Sequence, residues 1–407
     1  MSSYTNLLPG DPAPSFKQRS IVNPRFTFDT AAGRYLVLGF FGSASDPHSQ
    51  SGLAALKGLS HIIDDQTISF FGVSNDPEDE TKNRISDSYP GYRVFWDFDR
   101  SVSRLYGVAA RETEETGDEI KLRRQWVVID PTLRILKVFH FQEDQADIAQ
   151  LTGYLQTLPP PERFSGEVLQ APIIVLPNVF EPELCKHLID LYTAHGGESS
   201  GFMREVNGKT VGMSDPNHKR RRDHLIEDHQ LIAHLKRRFL RRVAPEIAKV
   251  HQFNVSRMER FLVACYSAED RGHFRAHRDN TTKGTAHRRF AVSVNLNADF
   301  DGGEVSFPEY GPRSFKASPG TAVVFSCSLL HAVSPVTRGQ RFAFLPFLYD
   351  EQAAQLREKN MQFVQTTDRQ PDHHPTPVQA AGLLPSQHPA NACAFGEFSA
   401  PGRPEDS

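Results

Sequence analysis

Apolar and polar positions follow two different rhythms in the two halves of the chain. The first half carries three compact apolar runs, Tyr35-Leu-Val-Leu-Gly-Phe-Phe41, Ile68-Ser-Phe-Phe-Gly-Val-Ser74 and Gln125-Trp-Val-Val-Ile-Asp130. Between the first two lie a small-residue loop and a stretch that predicts a helix from about Ser51 to Ile63, and Leu105-Tyr-Gly-Val108 adds a short apolar segment before the third run. Strands alternating with helical stretches argue an α/β unit, expected over residues 1–158. Thr157-Leu-Pro-Pro-Pro-Glu-Arg-Phe-Ser-Gly166 follows, and its prolines stiffen the chain and forbid a helix, so residues 159–170 read as a linker.

Beyond the linker the pattern changes to short strands. Ile173-Ile-Val-Leu-Pro-Asn-Val-Phe180 predicts a strand and turn, and Glu181-Pro-Glu-Leu-Cys-Lys-His-Leu-Ile-Asp190 opens a helix. A second helix is expected at about 229–249, where Leu231, Ile232, Leu235, Phe239 and Leu240 alternate with Lys236-Arg-Arg238 and Arg241-Arg242 on a polar outer face. Then come Phe261-Leu-Val-Ala-Cys-Tyr266, Gly272-His-Phe-Arg-Ala-His277-Arg-Asp279, Arg289-Phe-Ala-Val-Ser-Val-Asn-Leu296 and Thr321-Ala-Val-Val-Phe-Ser326, closing with the stretch His331–Phe344. Asp299-Phe-Asp-Gly-Gly-Glu304 suits a tight hairpin, and Pro319-Gly320 a turn. Short strands punctuated by Gly and Pro argue a mainly β sandwich or roll over residues 171–352, flanked by helices. From about Gln365 the composition shifts to Pro, His, Gln, Ala and Ser, which predicts a disordered tail over 365–407, including an adventitious His373-His374 pair.

Composition narrows the picture only a little. At 407 residues with 39% hydrophobic positions, the chain accommodates two or three ordinary soluble domains. No run approaches the roughly 18 apolar residues of a membrane span, and Met-Ser-Ser-Tyr-Thr-Asn at the start lacks a charged-then-apolar signal pattern. The four cysteines, Cys185, Cys265, Cys327 and Cys393, form no disulfide framework, so a cytoplasmic protein is expected. A net charge of −3 implies no polyanion partner. The basic run His218-Lys-Arg-Arg-Arg-Asp223 is expected to be a solvated, mobile loop rather than a nucleic-acid surface. His224, His229 and His234, spaced by five, stand about 140° apart on a helix and cannot share a metal there.

Candidate chemistry concentrates at one motif. Among 17 histidines, His277-Arg278-Asp279 is the only His-x-Asp or His-x-Glu. On a strand, residues i and i+2 point to one face, so imidazole and carboxylate converge. His331 would complete a 2-His-1-carboxylate facial triad, the geometry that binds Fe(II) and leaves positions open. Taken singly, each residue has an ordinary alternative: a surface or core histidine, a packing tyrosine at Tyr266, a hairpin-capping or ion-paired arginine at Arg341. Arg338, in Thr-Arg-Gly-Gln, is expected at a solvated turn tip.

In this order, Tyr266, His277/Asp279, Gly302-Gly303-Glu304, Pro319-Gly320, His331 and Arg341 make residues from about Ala171 to Asp350 resemble the prolyl 4-hydroxylase-like branch of the Fe(II)/2-oxoglutarate-dependent dioxygenases. The resemblance implies a double-stranded β-helix (jelly roll), with His277, Asp279 and His331 as metal ligands. It implies 2-oxoglutarate as cosubstrate, its distal carboxylate on Arg341 ten residues after His331 and beside Tyr266. O2 as oxidant, ascorbate as a candidate reductant, and hydroxylation of a C–H bond with release of succinate and CO2 come with it. A small-molecule or peptidyl substrate is expected, proline or an amino-acid-like residue first, with the Gly-rich stretch Gly196–Pro216 as its lid.

Residues 1–158 resemble the peroxiredoxin/thioredoxin-like redoxin family, down to the Gly-Asp-x-Ala-Pro start at Gly10. After the strand ending at Phe41, where that family carries its reactive cysteine, the loop reads Gly42-Ser-Ala-Ser45-Asp46-Pro47-His48-Ser49. Serine and histidine cannot replace a thiolate in disulfide exchange. Arg124 occupies the place of the family's arginine, and His48 offers only a residual ligand-binding group. A redox-dead domain is expected, serving substrate or partner binding, homo-oligomer formation, or support of the oxygenase domain. A thiol-dependent peroxidase and a non-catalytic adaptor are the competing readings.

Overall fold

The computed structural model describes residues 4–110 and 121–365. The anticipated tail beyond 365, with His373, His374 and Cys393, lies outside the described residues. No helix among them is long and apolar enough to cross a membrane.

The N-terminal part begins with a small ribbon, β1 (Lys17–Gln18) and β2 (Phe26–Thr27), then builds β3 (Tyr35–Gly42), α1 (Pro47–Lys57), β4 (Ile68–Ser74), α2 (Pro77–Thr81), β5 (Tyr92–Trp96), α3 (Ser101–Leu105), β6 (Gln125–Ile129), β7 (Ile135–His140) and α4 (Ala146–Gln156). The sheet order is β5-β4-β3-β6-β7, with β3, β4 and β5 parallel and β6 and β7 antiparallel, the expected thioredoxin-like α/β arrangement. Strands β3 and β4 are largely apolar, and β4 is buried along its whole length, because both sheet faces are covered. Leu36, Leu38 and Phe40 pack with Phe16, Phe28 and Tyr106 on one face, while Tyr35 and Val37 pack with Leu56, Trp126 and Leu151 on the other. Helix α1 starts earlier than the apolar pattern suggests, at Pro47, because Asp46 caps the amide of Ser49 and proline is favoured in the first turn.

The C-terminal part contains β8 (Ile174–Leu176), α5 (Pro182–His195), β9 (Glu198–Ser199), β10 (Phe202–Val206), β11 (Lys209–Met213), β12 (Lys219–Arg220), β13 (Arg222–Leu225), α6 (His229–Arg242) and α7 (Ala244–His251). It continues through β14 (Arg257–Glu259), β15 (Leu262–Ser267), β16 (His273–His277), β17 (Phe290–Asn295), β18 (Val305–Ser306), β19 (Ser314–Phe315), β20 (Ala322–Ser326), β21 (His331–Val333), β22 (Gln340–Phe344), β23 (Phe347–Tyr349) and α8 (Glu351–Asn360). Two sheets form a jelly roll, a smaller one ordered β12-β16-β21-β18-β19 and a larger one running β14-β23-β17-β22-β15-β13-β9, onto which β20 and β8 pair. Alternation along β15 shows how the layers are filled: Leu262, Ala264 and Tyr266 face the space between the sheets, and Val263 and Cys265 face the helices outside.

Three expectations need correction. The single helix at 229–249 is two helices, since Pro245 in the first turn of α7 lacks an amide to continue the ladder of α6. Asp301-Gly302-Gly303 is a corner that carries the chain from β17 in the larger sheet to β18 in the smaller, rather than a hairpin turn; both glycines have positive φ, and a Cβ on Gly302 would stand 2.1 Å from the Pro335 carbonyl oxygen. The basic run at 218–223 is no solvated loop. It enters β12 and β13, burying Lys219 and Arg221. Lys219 donates to Ser200 Oγ and the Gly201 carbonyl, and Arg221 forks onto Asp223 at 2.6 Å for both bonds, so burial leaves neither head unpaired.

Asp147 on α4 is the main polar tie inside the N-terminal core, accepting from Trp126 Nε1 at 2.9 Å, Gln142 N at 3.1 Å and pairing with His48 Nε2 at 2.9 Å. Asp147→Ala leaves those buried donors unpaired and is expected to lower the stability of this domain by about 3 kcal/mol. Urea unfolding followed by tryptophan fluorescence reads the domain selectively, because both tryptophans, Trp96 and Trp126, lie in it; a change well under about 1 kcal/mol would contradict this account.

Candidate metal and cosubstrate site

Strand pairing assembles the site. In the smaller sheet, β16 and β21 are antiparallel with His277 directly opposite His331, a register irregularity separating this pair from Phe274 and Val333. The two imidazoles therefore meet, ring centroids 4.2 Å apart. Asp279 lies two residues past the end of β16, in a turn where its amide donates to the Cys327 carbonyl at 2.9 Å, which ties it to the segment leading from β20 to β21. Donor atoms of His277, Asp279 and His331 all fall within 4.8 Å of one another, the only group of its kind among the described residues.

Hydrogen bonding orients both rings. His277 Nδ1 is 2.7 Å from the Arg275 carbonyl and His331 Nδ1 is 3.0 Å from that of Leu329. A carbonyl accepts only from N–H, so each ring is protonated at Nδ1 and turns the Nε2 lone pair toward the carboxylate, at 3.6 Å for His277 and 3.3 Å for His331. Burial, and after it the proximity of His331, lowers His277 to about 4, so it is a neutral donor near pH 7. Burial alone would raise Asp279, but the facing histidines hold its carboxyl well below the usual range. Two imidazoles and one carboxylate sharing a point are a donor set suited to Fe(II).

Arg341 lies on β22, paired across to Tyr266 on β15. It is 1% exposed, and its Nε donates to Asn295 Oδ1 at 3.0 Å and one Nη to Ser293 Oγ at 2.8 Å. The other Nη is buried with no partner, and no carboxylate among the described residues pairs with this guanidinium. Unpaired buried N–H groups are costly, so a bound carboxylate would complete the fork. The guanidinium lies over the Tyr266 ring, 5.3 Å from its centroid. A Cβ on Gly303 would come within 3.1 Å of Arg341 Cδ and 2.9 Å of Val336, so the second glycine of the corner makes room for this side chain.

Sequence reading missed Lys219 and Arg221. The Tyr266 hydroxyl accepts from Arg221 at 3.4 Å, and Lys219 lies over Phe274, whose ring stacks on His277 at 3.5 Å. Although burial opposes it, Arg221 and then Lys219 hold Asp223 down at about 2. A strand-like alternation, positions 219 and 221 inward and 220 and 222 outward, was the available signal, but four successive cations mask it. Arg338 is exposed at the turn, as expected, and pairs with Asp301.

The redoxin position is filled differently. Ser49 is buried, donating to the Phe41 carbonyl at 3.0 Å, and Arg124 pairs with Asp46 and stacks over Phe141. His48 is engaged through Nε2 by Asp147 and packs on Phe141. Among the described residues the free cysteines, Cys185, Cys265 and Cys327, are all buried in the C-terminal part.

Among known proteins, a PKHD-type hydroxylase of Pseudomonas putida is 33% identical over 135 residues, covering 30% of this chain and 58% of that protein. A PKHD-type hydroxylase of Paracoccus denitrificans is 43% identical over 79 residues, 17% of this chain and 35% of that one. The chain thus spans little more than half the length of these curated relatives at most. Similar solved structures include a Trichoplax adhaerens prolyl hydroxylase in complex with a hypoxia inducible factor oxygen degradation domain peptide fragment, at TM-score 0.38 and 17% identity over 50% of this chain and 96% of that one. Peroxidoxin BcpB from Mycobacterium tuberculosis gives TM-score 0.32 and 18% identity over 38% of this chain and 99% of that one. Residues 261–349 match the model of the 2OG-Fe(II) oxygenase superfamily, and residues 9–138 match that of the AhpC/TSA family.

Proposed function

We propose that the protein is an Fe(II)- and 2-oxoglutarate-dependent dioxygenase that hydroxylates a C–H bond of a prolyl, peptidyl or amino-acid-like substrate, releasing succinate and CO2. The observation that carries this reading is the buried Arg341 with an unpaired N–H, in the same barrel as three convergent donors. His277, Asp279 and His331 would hold iron, which with O2 supplies the oxidising power. Arg341, fixed by Ser293 and Asn295, would receive the distal carboxylate of 2-oxoglutarate, and Tyr266 would stand beside it. Asp223 is the shared counter-charge of Lys219, Arg221 and Arg260, with Asp279 also near Lys219 and Glu259 near Arg260, whereas Arg341 faces no carboxylate among the described residues, which favours an anionic group beside it. Both rings turn Nε2 toward the carboxylate, where metal would be held, and burial among β15, β17 and β22 keeps water from the arginine. The PKHD-type and prolyl hydroxylase relatives support the choice of substrate class. A thiol peroxidase is disfavoured by the serine and histidine where a cysteine would stand.

Anaerobic titration of the protein with Fe(II) and 2-oxoglutarate should produce the visible charge-transfer band of chelated iron. His277→Ala should abolish it. Arg341→Ala should keep metal binding and weaken 2-oxoglutarate by about 100-fold, the loss of a buried charge-assisted pair; no band in folded wild-type protein would sink the reading. Protonation of His277 competes with metal only as the pH falls toward about 4, so this ligand should still bind Fe(II) at pH 6, and His277→Ala should remove the band at every pH where the wild-type protein shows it. Incubation with free amino acids and proline-containing peptides should yield a hydroxylated product; succinate formed throughout the panel with no product would exclude that substrate class.

A further inference from the structure

The N-terminal domain, lacking its thiol, is packed against the loops that carry the candidate metal ligands. Lys17 Nζ donates to the Thr281 carbonyl at 2.9 Å, just beyond Asp279. Gly33 lies flat on Pro308, where a Cβ would stand 2.6 Å away. Asn23 Oδ1 accepts from Arg204 at 2.9 Å, and Glu205 of β10 pairs with Arg25 at 2.9 Å and Lys17 at 4.0 Å.

At the centre is Arg278, the residue between His277 and Asp279. Its guanidinium forks onto Glu309 at 2.8 and 3.2 Å and donates to the Ser328 carbonyl. Glu309 in turn accepts the amide of Leu330, the neighbour of His331, at 3.0 Å. One guanidinium and one carboxylate thus tie together the segments bearing all three ligands. Asp29 reaches the same guanidinium from the N-terminal domain: its Oδ2 is 3.3 Å from Arg278 Nε, and its carbonyl accepts from an Nη at 3.3 Å. The second carboxylate oxygen of Asp29 is buried without a partner, and Arg278 Nε makes no hydrogen bond, so the two side chains meet as an ion pair only. Such an oxygen costs stability, so the carboxylate is poorly explained as a stabilising contact and better as a means of fixing Arg278.

The β10–β11 hairpin forms a second bridge. Its outer part is held by Glu205, while Phe202 packs on His218 at 4.5 Å, His218 approaches His277 at 6.4 Å, and Thr210 Oγ1 accepts the amide of Gly284 at 2.9 Å. The stretch anticipated as a free lid is therefore an ordered hairpin joined to both domains.

We propose that the thiol-less domain is a built-in half of the iron site: Asp29 is a positioning residue acting through Arg278 on His277 and Asp279, and Lys17 and Arg25 fix the β10–β11 hairpin over the site through Glu205. This rests on the dioxygenase reading. A domain placed in this way contributes to oxygenase geometry without any redox chemistry of its own.

The test uses the full-length chain and two readouts, Fe(II) affinity from the charge-transfer titration and proteolytic nicking within 196–216. Asp29→Asn should weaken Fe(II) by roughly tenfold, as loss of an outer-shell partner does, while tryptophan-detected unfolding is unchanged; Lys82→Ala, on an exposed ion pair of α2, should match wild type in both. Arg25→Glu should open the hairpin to protease, and Arg25→Glu combined with Glu205→Arg should close it again. Wild-type affinity in Asp29→Asn, or nicking that the charge swap fails to reverse, would overturn the inference. Absence of the band in wild-type protein would instead overturn the dioxygenase reading on which it rests.

Discussion

The pairing of β16 with β21 is the constraint on which the site depends. Only the register that sets His277 opposite His331 brings two imidazoles to one point, and a slip of one residue would turn one of them to the other face. The neighbouring layers defend that register. Phe274 stacks on His277, Phe325 packs on His331, and the Cys327 carbonyl takes the amide of Asp279, so a shift would break packing and a backbone hydrogen bond together. Backbone carbonyls then choose the tautomer, and the choice leaves both Nε2 atoms facing the carboxylate.

Charge is distributed by the same logic. Beside the three donors Arg278 is countered locally, lying between Glu309 and Asp29. Across the barrel, near Tyr266, the balance is left positive. A protein interior tolerates such an excess only where an anion arrives or where the cations have neutral acceptors, and here Ser200, Ser293 and Asn295 supply the acceptors. The two regions lie on different sheets of the roll, the donors at β16 and β21 of the smaller and Arg341 and Tyr266 on β22 and β15 of the larger, so a ligand that joins them spans the space between the sheets.

The N-terminal domain keeps its sheet, its capped α1 and its arginine, yet the position at the helix start has become a closed hydrogen-bonded corner of Ser49, Asp46 and Arg124. Its polar groups answer one another. What it presents outward is the ribbon and turn from Lys17 to Gly33, and that is the surface in contact with the loops around His277, Asp279 and His331.

Sequence alone determined much of this. The apolar runs of β3, β4 and β6 declare an α/β sheet because strands covered on both faces need no alternation, and the spacing of His277, Asp279, His331 and Arg341 was legible because those residue types have few other reasons to fall in that order. Tertiary structure decided what depends on partners distant in sequence. Lys219 and Arg221 looked solvated, since their neighbours are all charged, and became interior only because Ser200, Gly201 and Asp223 meet them there. Gly302 and Gly303 announced a turn, but whether it folds back or crosses to the second sheet depends on where β18 pairs. Nothing near Arg278 in sequence announces Asp29, almost 250 residues earlier, whose ion pair with it depends on how the two domains pack. Local patterns specify elements through steric and hydrophobic preference; contacts between elements are set by which polar groups can be satisfied once those elements are packed.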